Sequence, residues 1–169
     1  MKIDFKTIKK LTGSPRYKAD TPLKYLSDKI ADWTENLGLD LDVDFQRGHV
    51  WTEDQQVKFV EFIIRGGKTT PFLFNHPNWM GSFKGEFVVV DGKQRLTALL
   101  KFLNGELKVF GGFIDEFENL QLNTFDISFW INDLKTRKEV LQWYLELNSA
   151  GTPHTKDELD KVKNILKKI

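Results

Sequence analysis

Asp91, Gly92, Lys93, Gln94 and Arg95 stand in one run between four apolar residues, Phe87 to Val90, and a leucine-spaced stretch, Leu96, Leu99, Leu100 and Leu103. The run can do anion chemistry. A strand handing over to a helix here exposes the first N–H groups of the helix and the positive end of its dipole. Gly92 lets a phosphate approach the backbone closely. Arg95 supplies a permanently charged planar fork suited to phosphate oxygens. Lys93 and Arg95 both oppose the helix dipole, by roughly 0.3–1 kcal/mol each when exposed, and a bound anion offsets that. Asp91 beside such phosphates would hold Mg²⁺ or orient a water. A purely structural reading competes: Asp91 as N-cap and Gln94 at the third helical position form a capping box, with Gly92 in a tight turn. Thr52 with Gln55, Thr136 with Glu139 and Thr155 with Glu158 spell the same box, so the box alone carries no functional signal. The run is neither a Walker loop nor a dinucleotide fingerprint.

The elements that must position this run are legible around it. The apolar run 87–90 is a central strand covered on both faces. The leucines after it make a helix closed by Asn104-Gly105. Thr21-Pro22 is expected to open a helix carrying Leu23, Leu26, Ile30 and Trp33. The alternation of Leu41, Val43 and Phe45 with Asp42, Asp44 and Gln46 predicts a half-buried strand over 41–47. From Thr52 a helix follows with Val57, Val60 and Ile64 inward, widened by Phe59 and Ile63, and Gly66-Gly67 stops it. Pro71 to Phe74 and Asp126 to Asn132 read as strands, as does 107–110, and 136–148 and 155–168 as helices. Strands and helices interleave imperfectly, which predicts an α+β fold with one mixed sheet.

Composition bounds the function. The chain has 169 residues, 40% of them hydrophobic, and no cysteine, which fits one globular domain and excludes disulfides, zinc ribbons and thiol catalysis. The first residues lack a signal-peptide pattern and no apolar run reaches membrane-spanning length, so a cytoplasmic protein with no membrane partner is expected. Net charge is +1, which gives no global argument for nucleic acid. Residues 1–20 carry a local +4 and read as a basic N-terminal arm ahead of a single domain over 21–169.

Three ordered stretches carry a resemblance. VVVDGKQRLTALLKFLNG resembles the signature of the DGQQR-motif domain family, the N-terminal domain of GmrSD-type modification-dependent restriction enzymes. DFQRGHVWTEDQQVKFVEFIIRG is similar to the first block of that family and LQWYLELNSAGTPHTKDEL to its late block. The resemblance implies a ParB/sulfiredoxin-like fold in which Gly92 to Arg95 cradle nucleotide phosphates. It implies Mg²⁺ and an NTP as cofactors, with Asp91, Gln94 and Arg95 catalytic and Asp91 on the metal. Gly92, Lys93, Gln46, Arg47 and Asn148 would bind the nucleotide. The implied partners are a nucleotide and DNA, the latter met directly or through a nuclease partner chain. Lys93 stands where the family usually has glutamine. The histidines His49, His76 and His154 are scattered, without the spacing of an HNH nuclease centre, so the chain is expected to lack the C-terminal nuclease domain and not to cut DNA itself. Two other functions stay open: phosphotransfer to an acceptor, and a non-catalytic module that holds a DNA backbone phosphate. Trp79, in a loop, is open to base stacking or to anchoring its loop; Trp51 reads as core.

Overall fold

The four apolar residues of the run 87–90 divide between two cores. In the computed structural model, which describes residues 3–8, 16–46, 48, 50–149 and 156–169, strand β4 is Phe87–Asp91. Phe87 and Val89 join one buried cluster, Val88 and Val90 the other. A strand buried on both faces needs apolar residues at every position, which is why no alternation shows.

The other elements in chain order are β1 (Tyr17–Pro22), α1 (Leu26–Leu37), β2 (Leu39–Asp40), α2 (Glu53–Ile64), β3 (Phe72–Asn75), α3 (Lys93–Leu103), β5 (Asp126–Asn132), α4 (Arg137–Ser149) and α5 (Lys156–Leu166). The five strands form one sheet in the order β1-β5-β3-β4-β2. β1 with β5 and β3 with β4 are antiparallel; β3 with β5 and β2 with β4 are parallel. The larger core lies between one face and α1, α2 and α3. It is centred on Trp33, whose ring meets those of Phe74, Trp79, Phe87 and Phe129 at 5.1–5.7 Å. The smaller core lies under α4 and α5 and takes in Val43 and Phe45. The fold is α+β with a mixed sheet, as the interleaved pattern predicts. Among the described residues no helix is long and apolar enough to cross a membrane.

Four local expectations need correction. Thr21-Pro22 does not open a helix: both end β1, opposite Ile127 and Asp126. Thr21 is buried at 6% exposure, and a proline is tolerated because β1 is an edge strand. That same strand begins at Tyr17, so the sheet takes in residues 17–20 of the stretch read as the arm. The alternating segment, expected as a strand over 41–47, is not a strand over its described residues 41–46; β2 ends at Asp40 and the chain turns, with Gln46 N–H bonded to the Val43 carbonyl at 3.3 Å. Val43 and Phe45 are still buried, so the alternation reported burial and not pairing. Residues 107–110 give only an isolated bridge, Val109 to Gly112. Phe110 at φ 50° and Gly111 at φ 83° make the tight reversal between them, the positive-φ pair of a type I′ turn. The fourth, the capping box read at Asp91, belongs to the site. The boxes at Thr52 and Thr136 are formed; Thr155 lies outside the described residues.

Candidate functional site

The strand-to-helix turn is built differently from a capping box. Asp91 is the last residue of β4, and the N-cap of α3 is Gly92 at φ 102°. No side chain caps the first turn of α3. A Cβ on Gly92 would sit 2.6 Å from the Phe72 ring and 3.2 Å from the Arg95 guanidinium. Glycine is therefore required twice, by the left-handed backbone and by the close approach.

Gln94 leaves the helix start and clamps the preceding loop. Its Oε1 accepts from the Val50 and Trp51 N–H groups at 3.0 and 3.2 Å, and its Nε2 donates to the Gly48 carbonyl at 3.0 Å. Gln46 works from the same loop: its Nε2 donates to the carbonyls of Val89 and Val90, both at 2.8 Å. A side-chain amide thus supplies donors to two carbonyls of β4.

Arg95 is folded inward. Its Nη1 donates to Thr69 Oγ1 at 2.7 Å and to the Thr70 carbonyl at 2.5 Å; its Nη2 donates to Asp91 Oδ2 at 2.9 Å. The guanidinium also lies over the Phe72 ring, 4.9 Å from its centroid. Three of its five N–H groups are used, leaving the Nε–H and one Nη2–H. The side chain is only 14% exposed against 50% for Asp91. Burial lowers the Arg95 pKa from its usual value, with Asp91 opposing; an arginine nevertheless stays charged. Lys93 is also desolvated, at 10% exposure, and its Nζ meets Asp42 Oδ1 at 2.6 Å. That bond from Lys93, more than its charge, holds the Asp42 carboxyl below the usual range.

The turn therefore gathers Asp91, Gly92, Lys93, Gln94, Arg95 and Gln46. Asn148 is engaged elsewhere: its Nδ2 donates to the Tyr144 carbonyl at 2.7 Å within α4. Arg47, His49 and His154 lie outside the described residues. Trp79 anchors its loop, packing on Trp33 and Phe87 at 5.4 and 5.3 Å, and His76 is fully buried. Sequence reasoning missed Thr69, Thr70 and Asp42. They lie 25 or more positions from their partners in the run, and no spacing rule links them. Thr69 also lines a cleft of about 500 Å³ on the side of the sheet end formed by β1 and β5. Among the described residues no three His, Asp or Glu side chains gather as a metal site.

Fold and site together define an α+β domain whose polar apparatus is one strand-to-helix turn, Asp-Gly-Lys-Gln-Arg, knitted to two neighbouring loops. The family described as the GmrSD restriction endonuclease, N-terminal domain, matches residues 30–126. The chain belongs to this family, which makes it a restriction-type domain of phage defence. The matched span runs from α1 to the first residue of β5 and includes the whole turn. No curated protein and no solved structure matches the chain.

Proposed function

We propose that the chain binds a nucleoside triphosphate through its phosphates at the start of α3 and hydrolyses it within a restriction system. One observation carries the reading: an uncapped helix N-terminus flanked by two desolvated cations, Lys93 and Arg95. Free N–H groups and buried positive charge at one point favour an anion. The phosphates would rest on the first-turn amides of α3 beside Gly92, with Lys93 turning from the exposed Asp42 to them. Arg95, held by Thr69 and Thr70, presents its remaining N–H groups to charge developing on the phosphoryl oxygens. Gln94 holds Gly48, Val50 and Trp51 against the turn, and Gln46 holds to β4. Arg47 lies between Gln46 and Gly48 in sequence and enters, like Asn148, from the family resemblance.

Asp91 fits a magnesium role of one kind. Its carboxylate is half-exposed and paired with Arg95, and among the described residues no three His, Asp or Glu side chains gather as a metal site, so Asp91 would be the residue that holds Mg²⁺, which would supply neutralisation of phosphate charge. A water attacks the terminal phosphorus, the bond from that phosphorus to the β–γ bridging oxygen breaks, and nucleoside diphosphate, inorganic phosphate and the proton from the water leave. DNA, reached directly or through a nuclease partner chain, would be the target that this turnover controls.

A thermal-shift panel of ATP, GTP, CTP and UTP, each with and without Mg²⁺, tests the reading. A ligand at 100 times its dissociation constant stabilises by about 2.7 kcal/mol. Absence of any shift removes the assignment. Labelled phosphate appearing on an added acceptor, in place of free phosphate, would mark phosphotransfer instead.

A further inference from the structure

The cleft beside Thr69 has a lining suited to what the turn cannot hold. Its apolar lining comes from Ile63, Phe125 and Ile127, and its polar lining includes Asp20, Asp126, Ser128 and the cation Lys68. The Ser128 hydroxyl donates to Asp20 Oδ1 at 2.5 Å. Asp126 has no side-chain hydrogen bond or ion pair among the described residues. Two carboxylates against the single ammonium of Lys68 leave the lining net negative, which disfavours phosphate, so the cleft takes a neutral group rich in donors. Its volume of about 500 Å³ falls within the roughly 300–1,000 Å³ of small-molecule sites. The two sites share a wall, because Thr69 lines the cleft and accepts from Arg95 at 2.7 Å.

We propose that the cleft holds the ribonucleoside part of the nucleotide. The base packs on Ile63, Phe125 and Ile127, and a ribose hydroxyl donates to the Asp126 carboxylate. Carboxylates recognise ribose hydroxyls in other nucleotide sites for the same reason: they only accept. The choice of ligand class rests on the phosphate reading of the α3 turn, but binding in the cleft is separable from it. Phosphate and nucleoside would occupy opposite sides of the Arg95–Thr69 contact.

The test maps backbone amide shifts by NMR on the whole chain. The probes are the four ribonucleosides, their 2′-deoxy counterparts and inorganic tripolyphosphate. At least one ribonucleoside is expected to move the amides of Gly66, Gly67, Thr69 and 124–128, and tripolyphosphate those of 92–95. The matching deoxynucleoside should bind roughly three- to ten-fold more weakly, the worth of one hydrogen bond. Asp126→Asn, which keeps the shape, should narrow that difference, and Thr124→Trp should block the nucleoside while sparing tripolyphosphate. If no ribonucleoside moves the cleft amides, the proposal is overturned. The same holds if the deoxy form binds as tightly, which would point to a DNA base. Tripolyphosphate failing at 92–95 while a ribonucleoside still binds would sink the phosphate reading and leave the cleft.

Discussion

Arg95 braces the turn, and on the proposed reading it also meets the nucleotide. It ties Asp91, Thr69 and Thr70 together while nearly buried. Arg95→Ala leaves those groups without their partner, and we expect a stability loss of about 2–4 kcal/mol in urea melts, together with loss of nucleotide binding. Lys93 differs, because its partner Asp42 is 92% exposed and rehydrates freely. Lys93→Met should leave the melting midpoint within about 0.5 kcal/mol of wild type yet weaken the nucleotide shift at least several-fold. An unchanged nucleotide shift would show that Lys93 does not touch phosphate. Gly92→Ala meets both a positive φ and the Phe72 ring at 2.6 Å. The strained backbone alone costs about 1–3 kcal/mol, and a variant as stable as wild type would contradict the geometry described. Of these residues, Gly92 at a tight turn and the cations Lys93 and Arg95 at the start of a helix were legible in the sequence. That Gln94 serves the neighbouring loop was not, because its acceptors and donors at 48, 50 and 51 come close only once the chain has folded.

At the scale of elements, helices with an internal signal were read well and segments defined by a partner were not. α2 begins at Thr52 through a box whose two halves lie three residues apart, so local spacing suffices. Thr21 and Pro22 show the same kind of signal, but pairing with β5 outweighs it. The loop between β3 and β4 is pinned by His76, whose Nδ1 accepts from the Asn78 N–H at 3.1 Å. Burial lowers the His76 pKa below its usual 6.5. The unfolded chain therefore binds a proton that the folded one resists, so stability is full above about pH 6.5 and falls as pH drops below it. Urea melts of wild type and His76→Gln between pH 8 and 5.5 should show a steeper decline for wild type. Equal slopes would dismiss the idea. Glu139, held low by its Thr136 bond, acts in a separate window below its usual 4.5.

For the whole molecule, one sheet divides two cores, and the turn sits where the doubly covered strand β4 ends. Trp33 touches four aromatic rings from β3, β4, β5 and the β3–β4 loop. Trp33→Ala should cost about 3–5 kcal/mol and broaden amide signals on every one of those elements; a loss confined to α1 would argue against a shared core. The chain's own letters determined the α+β class, the buried character of 87–90, the capped starts of α2 and α4, and a strand-to-helix turn at 91–95 that carries a glycine and two cations. Each of these follows from residues within a few positions of one another, where helix period, strand burial and capping act. Tertiary structure alone decided that β1 is a strand, that 41–46 is not, that Gln46 and Gln94 serve as braces, and that Thr69 joins the turn to a cleft lined by β1 and β5. Those outcomes depend on which distant backbone groups come to lack partners, and that is settled by the closing of the sheet.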